Sequence, residues 1–245
     1  MHPTLAEPPT SELGGAPVAD RPARFLVQGE RGSILLPSRL DTLDEFRAWV
    51  LSPDHPELGR IDFIDGTVCV DLMTDRLESH GRPKNELIRV ISNRVRELMA
   101  GECYSDVTRV ALPDAGTSCE PDFVFVSFEA LRSGRVVTTP SADGRDETEL
   151  LGPPDLTVEV VSPSSVEKDT GRLLRAYDRG GVREYWLVDC RDGVAFTLHR
   201  RGPGGFEAAE TDADGFAPSA VLGRAYRLSR EIGPLDRWFS KLEER

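Results

Sequence analysis

No stretch of this 245-residue chain is apolar for long enough to cross a membrane, and its first residues lack the basic start and apolar run of a secretory signal. Cysteine is sparse. No two of Cys69, Cys103, Cys119 and Cys190 form a C-x-x-C pair, so the spacing of an ordinary structural zinc site is missing. They read as small buried residues in a reducing compartment, and a cytoplasmic location is expected. Positive charge is in deficit: 30 Lys and Arg stand against 42 Asp and Glu, a net −12. That argues against holding nucleic acid by a general electrostatic field, although a local basic groove is compatible with it. Also missing are G-x-x-x-x-G-K-[ST], a G-x-G-x-x-G after a strand, and a G-x-S-x-G elbow, so nucleotide-cofactor and serine-nucleophile readings have no support. The four histidines (His2, His55, His80, His199) share no ligand spacing; His80, before the long helix, could contact a substrate, with a surface position as the expectation.

What is present is an apolar fraction of 39%, gathered in short runs, enough for the core of one domain. Residues 1–30, rich in Pro, Ala, Gly and Glu, are expected to be a mostly disordered arm, and 31–245 a single domain. Asp41–Phe46 looks like a helix start. Arg60–Leu72 carries an Asp-Gly turn between apolar runs, a hairpin signal. From Lys84 to Met99, Leu87, Ile88, Ile91, Val95 and Leu98 recur at helical spacing. Strands are expected at 103–112, 121–127, 155–161, 184–189 and 194–200, with a polar surface excursion over 139–154. Ser162-Pro163-Ser164-Ser165 ends one strand and caps a helix that runs to Gly180-Gly181, so 155–189 reads as a βαβ unit. Antiparallel strands with Gly-rich turns are expected over 194–228, and a short helix from Pro234 to Leu242.

Two acidic residues stand out against that background. Asp122 opens the run Phe123-Val124-Phe125-Val126 after Pro121, and Glu159 lies within Leu156-Thr157-Val158-Glu159-Val160-Val161. A charge in such a strand is costly unless paired, protonated or bound to a cation. Side chains alternate along a strand, so Glu159 faces away from Val158 and Val160; on neighbouring strands the two carboxylates would meet. Together they would raise each other's proton affinity, and a divalent cation removes that conflict. Mg²⁺ suits the pair: it takes carboxylate oxygens, a carbonyl such as that of Val160, and waters, with room for a substrate phosphate. Such an ion can activate water and stabilise charge on a phosphodiester. Two blander roles fit the same residues, a turn acceptor for Asp122 and pairing with an arginine such as Arg109 for Glu159. Lys168 could lean back over the strand ends to offset developing charge, or lie solvated beside Glu167 and Asp169. For DNA phosphates the local cations are Arg89, Arg94 and Arg96 on one helix and Arg172, Arg175 and Arg179 on another, unless these are solvated helix faces.

In chain order, Pro121-Asp122, the run Val158 to Ser165, Lys168-Asp169, Tyr177 and the run Gly181 to Asp189 resemble the Uma-two family, a bacterial group of restriction endonucleases assigned to the PD-(D/E)XK nuclease superfamily. The likeness spans residues 40–200 and is most specific over 156–189. It implies an α/β fold, a restriction-endonuclease-like core of mixed β-sheet flanked by helices, here with an antiparallel C-terminal extension. It also implies Asp122 and Glu159 as ligands of Mg²⁺ (or Mn²⁺) and DNA as substrate. The superfamily lysine stands two residues after the second acid, where this chain has Val161. Many family members carry a lysine four residues after the aspartate matched by Asp169, where this chain has Leu173. Lys168 is the remaining candidate. Two functions follow: a metal-dependent endonuclease hydrolysing DNA phosphodiester bonds, or a catalytically impaired binding module on the nuclease fold. A homodimer through Leu235, Trp238 and Phe239 is a further option, with capping of the core as the simpler role for these residues.

Overall fold

Caps and turns delimit the first elements much as the sequence suggests. The computed structural model describes residues 24–141 and 143–245. Most of the arm expected over 1–30 lies outside the described residues. Its last part, Arg24–Gly29, forms β1, paired antiparallel with β2 (Gly32–Pro37). Helix α1 (Leu43–Val50) starts on a capping box: the Glu45 N–H donates to Thr42 Oγ1 (3.2 Å), and Glu45 Oε2 accepts the Thr42 N–H (3.1 Å). The Asp-Gly hairpin is β3 (Arg60–Ile64) with β4 (Thr67–Asp71). Asp65 and Gly66 both have positive φ (52° and 71°), as a two-residue turn matched to the strand twist requires.

A π-helical turn, Leu77–Gly81, leads into α2 (Arg82–Leu98), which buries Leu87, Val90, Ile91 and Val95. The run 103–112 is not one strand. It divides into β5 (Gly101–Ser105) and β6 (Arg109–Leu112), which belong to different sheets. Asp106 and Val107 turn the corner at φ 42° and 39°. Val107 is exposed there, yet it continues the apolar pattern, so no sequence signal marks the break. Next come β7 (Thr117–Cys119), β8 (Phe123–Ser127) and the short α3 (Phe128–Ser133). The excursion over 139–154 holds the end of β9 (Val137–Pro140) and all of β10 (Glu147–Leu151). The β10 residue Glu149 is buried and paired with Arg47 at 2.6 Å.

The βαβ unit is present. Strand β11 (Leu156–Val160) is followed by a second π-helical turn (Lys168–Leu173), α4 (Leu174–Gly180) and β12 (Glu184–Asp189), which pairs parallel with β11. The antiparallel tail consists of β13 (Ala195–Gly202), β14 (Gly205–Ala208), β15 (Ala217–Ser219) and β16 (Arg224–Ile232). The helix expected over Pro234–Leu242 is replaced by a tight turn at Pro234–Asp236 and strand β17 (Trp238–Glu244). Leu235, Trp238 and Leu242 do fit a helical period, but pairing with β16 satisfies the backbone of this segment instead. Leu235 is 89% exposed, and Trp238 and Phe239 are also exposed, so these three do not cap the core.

Two six-stranded sheets carry the fold, in the orders β14-β13-β12-β11-β8-β5 and β4-β3-β7-β6-β10-β9. The first is mixed, with β8 antiparallel and β12 parallel to β11. On one of its faces Phe123, Val158 and Trp186 pack with Leu87 and Ile91 of α2 and Tyr226 of the C-terminal sheet. On the other, Val124, Val126 and Tyr185 pack with Leu173, Tyr177 and the second sheet's Val110 and Leu112. Alternation therefore sends Val158 and Val160 to the α2 face and leaves Glu159 on the face toward α4.

Candidate active site

Strands β8 and β11 deliver two carboxylates to one place. The antiparallel register pairs Leu156 with Phe125, Thr157 with Val124 and Val158 with Phe123, so Glu159 stands opposite Asp122 one step further on. Both are buried. The Val160 N–H donates to Asp122 Oδ2 at 2.8 Å, so the aspartate ends the ladder in place of a backbone partner. A strand residue's N–H and C=O point to the same side, which puts the Val160 carbonyl on the Asp122 side of β11.

The basic side chains around this pair come from four other elements. From β3, Arg60 places Nη2 2.9 Å from Asp122 Oδ1 and Nη1 3.9 Å from Glu159 Oε2. From the first π-helical turn, His80 brings Nε2 to 3.3 Å from Asp122 Oδ2, and Lys84 of α2 lies 3.6 Å from Oδ1. From the second π-helical turn, Lys168 turns inward. Its Nζ is 3.1 Å from Asp62 Oδ2 and 3.7 Å from Asp169 Oδ1. Asp62 also accepts the Glu120 N–H (3.0 Å), which fixes it between β3 and the approach to β8. Tyr177 of α4 donates its hydroxyl to Glu159 Oε1 at 2.7 Å. Both π-helical turns, the wider and rarer form of helix, thus carry side chains of this cluster. A cavity of about 280 Å³ opens onto Arg60, His80, Lys84 and Glu120, and a neighbouring one of about 350 Å³ onto Asp62 and Lys168.

The two carboxylates are pushed in opposite directions. Burial would raise Asp122, but the Arg60 guanidinium, with help from His80 and Lys84, outweighs it and holds the acid below the usual carboxylate range. Burial raises Glu159 well above that range. The negative charges of Asp169 and Asp122 raise it further, and Lys168 and Arg60 offset this only in part. Asp169 is pushed up to about 6, chiefly by burial, against the pull of Lys168 and a hydrogen bond from Ser165. Glu159 Oε2 and Asp169 Oδ1 are buried with no hydrogen-bond partner among the described residues.

Asp122, Glu159 and Lys168 therefore lie in one cluster, with Val160 beside them. His80 is buried rather than at the surface, and Arg109 pairs with Glu120 instead of Glu159. Arg60, Asp62 and Lys84 were not singled out in the sequence. The alternation in Arg60-Ile61-Asp62-Phe63 was the available signal, since it puts both charged residues on one face of β3. The helix arginines are mostly engaged elsewhere. Arg89 pairs with Glu86, Arg94 bonds the Leu222 carbonyl, Arg172 the Ile64 carbonyl, and Arg179 Asp65.

The donor set fits a hard divalent cation shared with water and phosphate oxygens. Two carboxylates from adjacent strands meet, one of them with an unfilled oxygen, and a carbonyl lies on the same side. It does not fit a closed cage. Among the described residues, no group of three or more His, Cys, Asp or Glu is arranged to hold a metal. No described helix is long and apolar enough to cross a membrane.

The fold resembles that of a solved structure described as a putative nuclease belonging to DUF820 from Anabaena variabilis ATCC 29413. The TM-score is 0.53 at 18% identity, over 74% of this chain and 90% of that one. No curated protein matches the chain. The sequence matches the Uma2 family, described as "Putative restriction endonuclease", over residues 43–229, which span the whole cluster from Arg60 to Tyr177, and the chain belongs to that family.

Proposed function

We propose that this protein is a metal-dependent endonuclease that hydrolyses DNA phosphodiester bonds with water as the nucleophile. The observation that carries this reading is Glu159 Oε2, which accepts no hydrogen bond, on a carboxylate buried opposite Asp122 and raised in proton affinity by burial and by its acidic neighbours. A carboxylate so placed calls for a cation or a proton. Asp122, Glu159 and the Val160 carbonyl would hold Mg²⁺ (or Mn²⁺), which supplies Lewis acidity toward a phosphate oxygen and a water of lowered pKa. Lys168 is kept charged: burial opposes this, but Asp62, Glu159 and Asp169 outweigh it. Lys168 lines the second cavity, and its ammonium would offset negative charge developing on the phosphate. The family's description as restriction endonucleases points to DNA as the substrate. We place the enzyme in the cytoplasm, where its four free cysteines would stay reduced.

Asp122→Ala and Glu159→Ala are each expected to abolish cleavage of plasmid DNA in Mg²⁺ or Mn²⁺ while the far-ultraviolet circular dichroism stays native. Cleavage retained in both variants would sink the assignment. The second reading, a binding module with an impaired site, rests on the apolar Val161 where the superfamily has lysine. Calorimetric titration separates the two, because the module reading expects no heat of binding at millimolar Mg²⁺ or Mn²⁺.

A further inference from the structure

Arg60 occupies the place of a cation between the two carboxylates. Its guanidinium reaches from β3 across to the ends of β8 and β11, 2.9 Å from Asp122 and 3.9 Å from Glu159. The way it is held sets it apart from its neighbour Arg109. The Arg109 guanidinium is locked by the Ile61 carbonyl, Ser118 and Glu120. Among the described residues, Arg60 makes one side-chain hydrogen bond, to Asp122. Its side chain is 23% exposed and lines the 280 Å³ cavity together with His80, Lys84 and Ser162. One side of the guanidinium is thus tied to the carboxylates, while the side chain as a whole forms part of the cavity wall.

A divalent ion and a guanidinium cannot both sit between Asp122 and Glu159, because two like charges at contact distance repel strongly in a poorly solvated site. The long arginine side chain has somewhere else to go. Its planar fork matches phosphate oxygens, and the cavity it lines also carries Arg31, His80 and Lys84, beside the acids Asp71, Asp75, Asp106 and Glu120. We infer that Arg60 is a resident counter-ion that a metal must displace from Asp122 and Glu159, and that the displaced guanidinium turns into the cavity to bind a phosphate of the substrate. This inference rests on the metal-dependent reading above and adds a coupling to it. Metal frees Arg60 for phosphate, and phosphate draws Arg60 off the metal site, so each tightens the other by the same factor. Without substrate, Arg60 keeps the carboxylates neutralised and metal weakly held.

The test is titration calorimetry of the full chain with Mn²⁺ for the natural protein, Arg60→Gln and Arg60→Lys. It is run first without DNA and then with a short duplex carrying phosphorothioate linkages throughout. Without DNA, Arg60→Gln is expected to bind Mn²⁺ about tenfold more tightly than the natural protein. Arg60→Lys, which keeps the charge but loses the fork, should fall between them, and it serves if the glutamine variant does not fold. Adding the duplex should tighten Mn²⁺ binding clearly more in the natural protein than in Arg60→Gln, where only the metal's own contact with phosphate is left to couple the two. Equal Mn²⁺ affinity in all three proteins overturns this inference and leaves the metal reading standing. Absence of Mn²⁺ binding in all three overturns both.

Discussion

Glu159 and Glu184 are buried glutamates on adjacent strands of the same sheet, and they are furnished very differently. Glu184 Oε1 accepts the N–H groups of Ala220 (2.6 Å) and Val221 (3.0 Å), and its Oε2 accepts the Ser219 hydroxyl (2.7 Å) and the Trp186 indole N–H (3.2 Å). Glu159 has the Tyr177 hydroxyl on Oε1 and no hydrogen bond on Oε2, which the Arg60 guanidinium approaches only to 3.9 Å. Burial raises the proton affinity of both. Around Glu184 the hydrogen bonds oppose that rise, whereas around Glu159 two more carboxylates add to it. An acid buried in a strand is therefore not by itself the mark of a site. Glu184 is a clamp that ties β12 to the turn after β15, and its needs are met. Glu159 has unmet needs, and the residues around it are cations and cavities rather than a finished hydrogen-bond shell.

The largest expected effects would cross these two residues. Glu159→Gln should cut DNA cleavage roughly a thousandfold or more, because the site loses a charge that the transition state depends on. Its stability at neutral pH should hold or rise, since one of three crowded carboxylates becomes neutral. Glu184→Ala should do the reverse. It leaves two backbone N–H groups, a hydroxyl and an indole without their acceptor, a loss of about 3 kcal/mol or more, while cleavage per folded molecule is kept. Denaturant unfolding and plasmid cleavage on the same preparations would check both. The contrast breaks if Glu184→Ala is as stable as the natural protein, or if Glu159→Gln is the less stable of the two.

A smaller effect sharpens the same contrast through pH. Asp169, beside Glu159, is pushed up to about 6 from an ordinary 3.8. A carboxyl raised on folding contributes stability that is fully present below its unfolded pKa and is lost as pH rises through its folded one. The window is thus from about pH 4 to about pH 6, with a ceiling of ~3 kcal/mol. In metal-free buffer the natural protein should lose stability across that window, and Asp169→Asn should flatten the slope. Thermal melts at half-unit pH steps in chelator would show it. An unchanged slope in Asp169→Asn would mean that the pH dependence has another source.

Much of this arrangement was legible in the sequence because the signals were local. The Asp-Gly turn, the helix start at Asp41–Phe46, the stripe on α2 and the β11–α4–β12 unit each rest on neighbours in the chain. Asp122 and Glu159 stood out because apolar residues flank them. The same rule would also have picked Glu184, in Glu184-Tyr185-Trp186-Leu187-Val188, since the donors that satisfy it come from residues 219–221, which no local pattern connects to it. Arg60, Asp62 and Lys84 were missed for the matching reason. Their partners are separated from them by long stretches of chain, and they read as ordinary surface charges. The C-terminal strand failed differently. Leu235, Trp238 and Leu242 carry a helical period, but the edge of β16 decided the outcome.

The smallest effect concerns the single donor that Glu159 does have. Tyr177 gives its hydroxyl to Glu159 Oε1 at 2.7 Å and lies 3.5 Å from the Cys119 sulfur. Burial, with Cys119 and Glu159 nearby, raises the phenol well above its usual range, so it stays a donor at any working pH. Tyr177→Phe removes that donor and leaves the ring's packing in place. Stability should fall by about 1 kcal/mol. Glu159 then holds its proton more tightly, so the acid limb of the cleavage rate should move to higher pH. Tyr185→Phe is the matched control: its hydroxyl, also buried, bonds the Asp169 backbone carbonyl (2.9 Å) and no carboxylate. It should cost similar stability without moving the limb. A purely structural role for Tyr177 would lower both variants alike and shift neither profile. A shift confined to Tyr177→Phe would make the hydroxyl a positioning group for Glu159, the one finished contact of a carboxylate otherwise left open.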